Sequence, residues 1–120
     1  MKNGLEAYQN TAVTTQSKGR LIVMLYEGAV KFCKLAIKEI EAENWKEKGT
    51  HINRARDIIF ELNSVLDMDA GGEIAMNLRK LYCYMDGRLS EANIQKDPDK
   101  ISEVIKLLEE LNEGWKAITG

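Results

Sequence analysis

The chain contains very little of what catalytic, metal-binding and secreted proteins usually depend on. Its 120 residues include one proline, one histidine and two cysteines, and 17 Lys and Arg nearly balance 19 Asp and Glu, which leaves a net charge of −2. The scarcity of proline disfavours a turn-rich β-sandwich and a proline-rich linker. The near-neutral charge offers no basic surface for nucleic acid or anionic lipid. Partner recognition must therefore rest mainly on apolar contacts.

The cysteines and the N-terminal sequence carry no sign of a metal site or of export. Cys33 and Cys83 lie far apart with no CxxC spacing and no nearby histidines. The N-terminus lacks the continuous apolar segment of a secretory signal, and the apolar run 21–26 is too short to span a bilayer. We therefore expect a reduced, cytoplasmic protein that has no cofactor or metal, binds no nucleic acid and does not insert into a membrane.

Four segments carry the apolar periodicity of 3.6 residues that is typical of amphipathic helices. We predict that the first helix begins after Ser17, a good N-cap residue, and runs to about residue 43. The second is clearest over residues 50–66, and an earlier start near Asn44 is also open, since Gly49 costs a helix only about 1 kcal/mol. No strand pattern competes with these helices.

Short connectors separate the later helices. Residues 67–72, which include two consecutive glycines, are predicted to connect the second helix to the third, and Asp97-Pro98 is a strong start signal for the fourth. Because short connectors make neighbouring helices antiparallel, the predicted fold class is all-α, an antiparallel up-down four-helix bundle. Residues 17–120 are predicted to form its single domain, and residues 1–16 a mobile N-terminal arm or a short extra helix.

One apolar stripe on each helix is predicted to build the core of the bundle. The residues assigned to these stripes are Ile22, Leu25, Tyr26, Ala29, Phe32, Cys33, Ala36, Ile37 and Ile40 in the first helix; Ile52, Ala55, Ile58, Ile59, Leu62, Val65 and Leu66 in the second; Ile74, Ala75, Leu78, Leu81, Tyr82, Met85, Leu89 and Ala92 in the third; and Ile101, Val104, Ile105, Leu108, Leu111, Trp115 and Ile118 in the fourth.

Three of the helices carry more apolar side chains than a single core requires. The additional residues lie beside or opposite the core stripes: Leu21, Met24 and Leu35 in the first helix, Phe60 in the second, and Met76, Cys83 and Ile94 in the third. Such residues either pack against a further neighbouring helix or form a surface for a partner. Helical-wheel geometry leaves both interpretations open.

Catalytic arrangements are missing from the sequence. His51 is the only histidine, so a Ser-His-Asp or Cys-His arrangement has no support, and a capping or surface role near a helix start is expected for it instead. Glu-x-x-His pairs and Gly-rich phosphate loops are absent. Solvated and helix-capping roles account for paired carboxylates such as Asp67 and Asp69. We therefore predict that the protein is not an enzyme.

Two sequence motifs resemble those of the flagellin export chaperone family, FliS. The first is LIxMLYxGA at residues 21–29, and the second is LDxxxGGEIAxNLxxLYxYM at residues 66–85. Further matching positions run from Ala7-Tyr8-Gln9 to Trp115. The chain departs from the family at Ser17-Lys18-Gly19, where the family usually has Ser-Pro. We expect the loss of that proline to loosen the start of the first helix and the hinge of the arm.

The resemblance implies a cytoplasmic, ATP-independent chaperone that binds the C-terminal region of flagellin. Binding would prevent premature polymerisation and help deliver flagellin to the flagellar type III export apparatus, with contact to an export-gate component. The resemblance also implies that the segment bearing Tyr8 packs over the substrate groove. The surplus apolar residues fit this function, since a groove between helices is the usual receptor for an amphipathic helix.

The predicted partner-binding residues combine the arm with the surplus apolar positions. They are Tyr8, Val13, Leu21, Met24, Leu25, Phe60, Met76, Lys80 and Cys83. The predicted protein is a monomer or a weak homodimer. The alternative is a generic dimerising bundle with a structural or regulatory role, in which the same apolar residues form a permanent self-interface.

Overall fold

A computed structural model describes the backbone of residues 4–119 and the side chains of residues 18–119. This part of the chain forms four helices and no strand: α1 at Gly4–Glu41, α2 at Trp45–Ser64, α3 at Met68–Gln95 and α4 at Pro98–Thr119. The predicted all-α fold class is confirmed. The first helix begins at Gly4 rather than after Ser17, so the helical backbone includes most of the segment assigned to an arm. The division of the chain at residue 16 stays a prediction.

Local side-chain hydrogen bonds define two of the helix starts. Asp97 Oδ1 accepts a hydrogen bond of 2.9 Å from the Asp99 N–H, and Pro98 occupies the first position of α4, as predicted. Asp67 Oδ1 accepts one of 2.9 Å from the Ala70 N–H at the start of α3. These carboxylates satisfy N–H groups that have no partner within the helix.

The first helix ends in a Schellman arrangement. The Asn44 N–H donates to the Glu39 carbonyl at 2.8 Å and the Glu43 N–H to the Ile40 carbonyl at 3.0 Å. Glu43 has a left-handed φ of 58°, a conformation that usually favours glycine. The next helix starts at Trp45, so the earlier of the two predicted starts of α2 is confirmed and Gly49 lies inside the helix.

The predicted connector at 67–72 is partly helical. Residues 68–71 form the first turn of α3, and Gly72, with φ 52° and ψ −127°, interrupts the helix before it continues to Gln95. The prediction of a connector over residues 67–72 was therefore wrong for residues 68–71, because the Asp67 cap supports a helical turn that the glycine content disfavours. The glycine pair marks a break inside α3 rather than its start.

The four helices pack as a square. α1 contacts α2 and α4, α3 contacts the same two helices, and α1 and α3 lie on the diagonal. The predicted antiparallel up-down order follows from the short connections. Across the diagonal, the rings of Tyr26 and Tyr82 pack at 54° with their centroids 6.4 Å apart.

Most predicted core residues are buried or packed against the core. Three are corrected: Val65, Ile74 and Ile118 are 55%, 73% and 76% exposed. Val65 follows the last residue of α2, Ile74 lies one position before the buried Ala75 and so points to a different side of α3, and Ile118 lies six residues beyond Asn112, the last buried residue of α4. His51 is half-buried inside α2 and stacks on Phe32 with the centroids 6.1 Å apart, so its expected position at the helix start was wrong.

The C-terminal half of α3 is tied to its neighbours by polar contacts. The side chain of Lys48, only 5% exposed, donates from Nζ to the carbonyl of Asn93 at 2.8 Å. Arg88 Nε donates to Glu103 Oε1 on α4 at 2.7 Å. A third tie joins Lys100 Nζ to Glu91 Oε2 at 2.7 Å. These contacts lie at the end of the bundle where α3 meets α4.

Candidate functional site

A groove runs along the outside of α2 and α3. Its cavity measures about 440 Å³ and is lined by residues 53–63 of α2 together with Tyr82, Cys83 and Asp86 of α3. We call it the outer groove. Phe60 is 73% exposed there and Cys83 is also exposed, although both residue types are usually buried. The outer groove therefore presents apolar and thiol surface that no other described part of the chain covers.

An ion pair spans the outer groove. Arg56 Nε donates to Asp86 Oδ1 at 2.8 Å, and Arg56 Nη2 lies 3.3 Å from Asp86 Oδ2, so the two planar groups meet in a forked arrangement. Hydrogen bonding to Asp86 raises the pKa of Arg56. The pair connects α2 to α3 and gives this part of the groove a charged rim.

A second cavity, of about 370 Å³, opens at the end of the bundle where α2 joins α3. Its lining is almost entirely apolar and comes from all four helices, including Ile22, Leu62, Val65, Ile74, Leu78 and Trp115. We call it the apolar cleft. The exposed Val65 and Ile74 belong to this lining, and the first turn of α3 contributes Ala70 and Gly71. A cleft of this composition favours a bulky apolar side chain.

Tyr82 lines both cavities. It is 2% exposed, and its hydroxyl is hydrogen-bonded to that of Tyr26, which is fully buried. Burial raises the pKa of both tyrosines. The outer groove and the apolar cleft thus meet at one fixed ring. Together they extend along α2 from Asn53 to its last residue, Ser64, about 17 Å at the helical rise, and on to Leu66 in the connection to α3.

Comparison with known proteins identifies the family. The sequence matches the family described as "Flagellar protein FliS" over residues 1–120. It is 34% identical over 116 residues to the flagellar secretion chaperone FliS of Bacillus subtilis strain 168, an alignment that covers 97% of this chain and 86% of the relative. The chain belongs to the FliS family. The family is one of chaperones rather than enzymes.

Other FliS relatives match to a similar extent. The flagellar secretion chaperone FliS of Salmonella typhimurium is 38% identical over 122 residues, with 98% of this chain and 90% of the relative aligned. FliSB of Pseudomonas aeruginosa is 38% identical over 119 residues, with 96% and 94% aligned. Because the alignments span nearly the full length of both chains, the sequence of the whole described bundle is similar to the sequences of flagellar secretion chaperones.

The structure brings together only some of the predicted binding residues. Phe60 and Cys83 line the outer groove. The others lie elsewhere: Leu21 and Met24 are exposed on α1, Leu25 is half-buried against the core, and Met76 and Lys80 are exposed on α3. Tyr8 and Val13 fall outside the described side chains. All these assignments stay predictions of a binding role.

None of the residues that line the apolar cleft was predicted from the sequence as a binding residue. Sequence reasoning assigned Leu62, Leu66, Leu78, Leu81, Leu108 and Trp115 to the core. The structure shows Leu62 and Leu108 fully buried, with Leu62 at the floor of the cleft, and the half-buried Leu66, Leu78 and Trp115 both pack on the core and line the cleft. A pattern of apolar residues does not distinguish these two roles. The signal that marks the cleft is the glycine pair, which ends the regular helix beside it.

The described residues offer neither a metal site nor a reactive buried thiol. No group of three or more His, Cys, Asp or Glu side chains within them is placed to hold a metal ion. Burial raises the pKa of the Cys33 thiol to about 12, which suppresses its reactivity. None of the helices in this part of the chain has the length and apolar character needed to cross a membrane.

Proposed function

We propose that this flagellar secretion chaperone binds the C-terminal segment of flagellin as a helix along α2 and α3. The relatives are named flagellar secretion chaperones, and flagellin is the flagellar protein proposed as the substrate. The observation that carries the proposal is the meeting of the outer groove and the apolar cleft at Tyr82. Their combined length along α2, about 17 Å, accommodates roughly 11 residues of helix.

The composition of this surface fits an amphipathic helix. Phe60, Val65 and Ile74 expose apolar surface along or beside the two cavities, while Arg56 and Asp86 supply a charged rim. An amphipathic ligand buries its apolar face against the first set and keeps its polar face near solvent. Binding must also offset roughly 2–5 kcal/mol for ordering a flexible segment, which requires a large apolar contact.

Binding of this kind accounts for a chaperone that needs no catalytic group. A flagellin segment held in the groove is unavailable for polymerisation, and its release at the flagellar type III export apparatus, through an export-gate component, completes delivery. The proposed complex forms in the cytoplasm, where flagellin is made. Tyr8 and Val13 are proposed to cover the groove before flagellin arrives.

Substitution of Phe60 tests the proposed site. We expect Phe60→Asp to weaken binding of a flagellin C-terminal peptide by about 10- to 100-fold, since burial of a phenylalanine contributes about 1.5–3 kcal/mol. Isothermal titration calorimetry measures the dissociation constant. Ile118→Asp is the matched control, because Ile118 is equally exposed and lines neither cavity.

Two results would count against the proposal. Equal losses in Phe60→Asp and Ile118→Asp would remove the outer groove as the binding site. Light scattering that shows an obligate dimer at every concentration, unable to form a one-to-one complex with the peptide, would instead favour the permanent self-interface. Circular dichroism on each variant confirms that the helices are retained.

A further inference from the structure

We propose that the first turn of α3, residues 68–71, is a movable wall of the apolar cleft that rotates about Gly72 and retains the bound segment. The inference rests on the proposed function for the identity of the bound segment. The movement itself is argued from the backbone, the contacts of the turn and the position of Trp115.

The hinge lies at a conformation that only glycine adopts readily. Gly72 has φ 52° and ψ −127° between two stretches of regular helix. A Cβ placed on Gly72 would meet no atom within 4 Å, so the residue is required by the backbone angles and not by lack of space. A return to helical angles at Gly72 continues α3 toward the turn and changes the direction of the turn. The proposed movement is therefore a change of backbone angles at Gly72, from the kinked angles of this structure to helical ones.

Hydrogen bonds to Asp67 hold the turn together, and no side-chain hydrogen bond or ion pair among the described residues joins residues 68–71 to another helix. The Ala70 N–H donates to Asp67 Oδ1 at 2.9 Å, and the Gly71 N–H donates to the Asp67 carbonyl at 2.8 Å. Asp69 and Ala70 are exposed, and Met68 is only half-buried. A segment with strong internal bonds and few buried contacts moves as a unit.

The position of the turn makes this movement matter for binding. Ala70 and Gly71 form one wall of the apolar cleft, and Ile22 and Trp115, from α1 and α4, belong to the same lining. When the turn rotates away from the cleft, that wall is lost and an apolar side chain in the cleft faces water on one side. The kinked arrangement seen here therefore holds the bound segment, and the rotated one releases it.

Alanine at the hinge shifts the balance between the two arrangements. Alanine disfavours the positive φ and favours helix, so Gly72→Ala increases the population of the rotated arrangement at least about tenfold. Gly87→Ala is the matched control. Gly87 lies in the same helix, is exposed, has no positive φ, and a Cβ there also meets nothing within 4 Å.

The first experiment needs no partner. In a Trp45→Phe background, Trp115 is the remaining tryptophan, and acrylamide quenching of its fluorescence measures access to the cleft. We expect a quenching constant at least twofold higher in Gly72→Ala and unchanged in Gly87→Ala. Asp67→Ala, which removes the side-chain cap of the turn, should raise it by a smaller amount and serves as the second variant. Unchanged quenching in both Gly72→Ala and Asp67→Ala would overturn the movable wall.

The second experiment tests whether movement of residues 68–71 affects peptide binding. We expect a flagellin C-terminal peptide to bind Gly72→Ala more weakly than the parent by up to about tenfold, chiefly through faster dissociation, and to bind Gly87→Ala with the affinity of the parent. A higher quenching constant in Gly72→Ala without weaker peptide binding would show that the turn moves but does not retain the bound segment, which would overturn the proposal. Absence of peptide binding to the parent protein would contradict the proposed function, while the quenching result would still decide whether the wall moves.

Discussion

The hydrogen bond between Tyr26 and Tyr82 offers a direct measure of how the diagonal pair of helices contributes to stability. Both side chains are buried, and their hydroxyl groups are partners across the centre of the bundle. Phenylalanine at either position keeps the ring and removes only the hydroxyl. The remaining hydroxyl then loses this partner inside the bundle, which costs about 1–3 kcal/mol.

A double-mutant cycle separates this interaction from the packing of the rings. We expect Tyr26→Phe and Tyr82→Phe each to lower the free energy of unfolding by about 1–3 kcal/mol, which lowers the melting temperature by about 4 °C per kcal/mol in a chain of this size. The double variant leaves no unpaired hydroxyl, so we expect it to lie within about 1 kcal/mol of the parent. Its loss is then smaller than the sum of the single losses.

Urea unfolding followed by circular dichroism supplies the three free energies. Tyr84→Phe is the matched control, because Tyr84 lies in the same helix but is 47% exposed, with its hydroxyl 3.0 Å from a Glu103 oxygen. We expect that substitution to change stability by less than about 0.5 kcal/mol. Losses in the double variant equal to the sum of the single losses would refute the reasoning, since independent sites add and partners do not.

Two further predictions concern ionisation. Iodoacetamide at pH 8 should modify the exposed Cys83 in the native protein but Cys33 only after unfolding, because burial raises the pKa of Cys33 to about 12. Mass spectrometry measures the extent of modification, and similar rates for both cysteines in the native protein would contradict this prediction. The raised pKa values of Tyr26 and Tyr82 should stabilise the fold fully below about pH 10. Above it the unfolded chain loses its phenolic protons first, so stability should fall with pH more steeply in the parent than in the doubly substituted variant, as urea unfolding between pH 9 and 11 would measure.

The fold was predictable because its signals are local. Apolar spacing and the Asp97-Pro98 start signal depend only on neighbouring residues, and the helix they predict at Pro98 is the one observed. The start of α3 was harder to predict, since two glycines suggest a connector while the side chain of Asp67 supports a helical turn. The position at which α3 starts depends on the hydrogen bond that Asp67 accepts, which amino-acid composition does not reveal.

The candidate site was predictable only in part, for a geometric reason. Phe60 and Cys83 were recognised because each lies off the core stripe of its own helix. The cleft was missed because it is formed where four helices meet, and residues such as Trp115 serve the core and the cleft together. Helical wheels describe one helix at a time and do not show how far neighbouring helices separate.

The uneven distribution of polar ties along α3 determines how this bundle can deform. Lys48, Arg88 and Lys100 fix the C-terminal half of α3 to its neighbours, and the carbonyl that Lys48 binds, that of Asn93, lies about 27 Å along the helix from Ala75 beside the cleft. A bound peptide that enlarges the cleft is therefore expected to tilt α3 about its fixed end instead of detaching it. A small rotation there produces a displacement of several ångströms at the cleft, while the ties at the far end remain intact. Bound peptides with side chains of different size can then be accommodated by a change in the angle between α3 and its neighbours, without unfolding any part of the bundle.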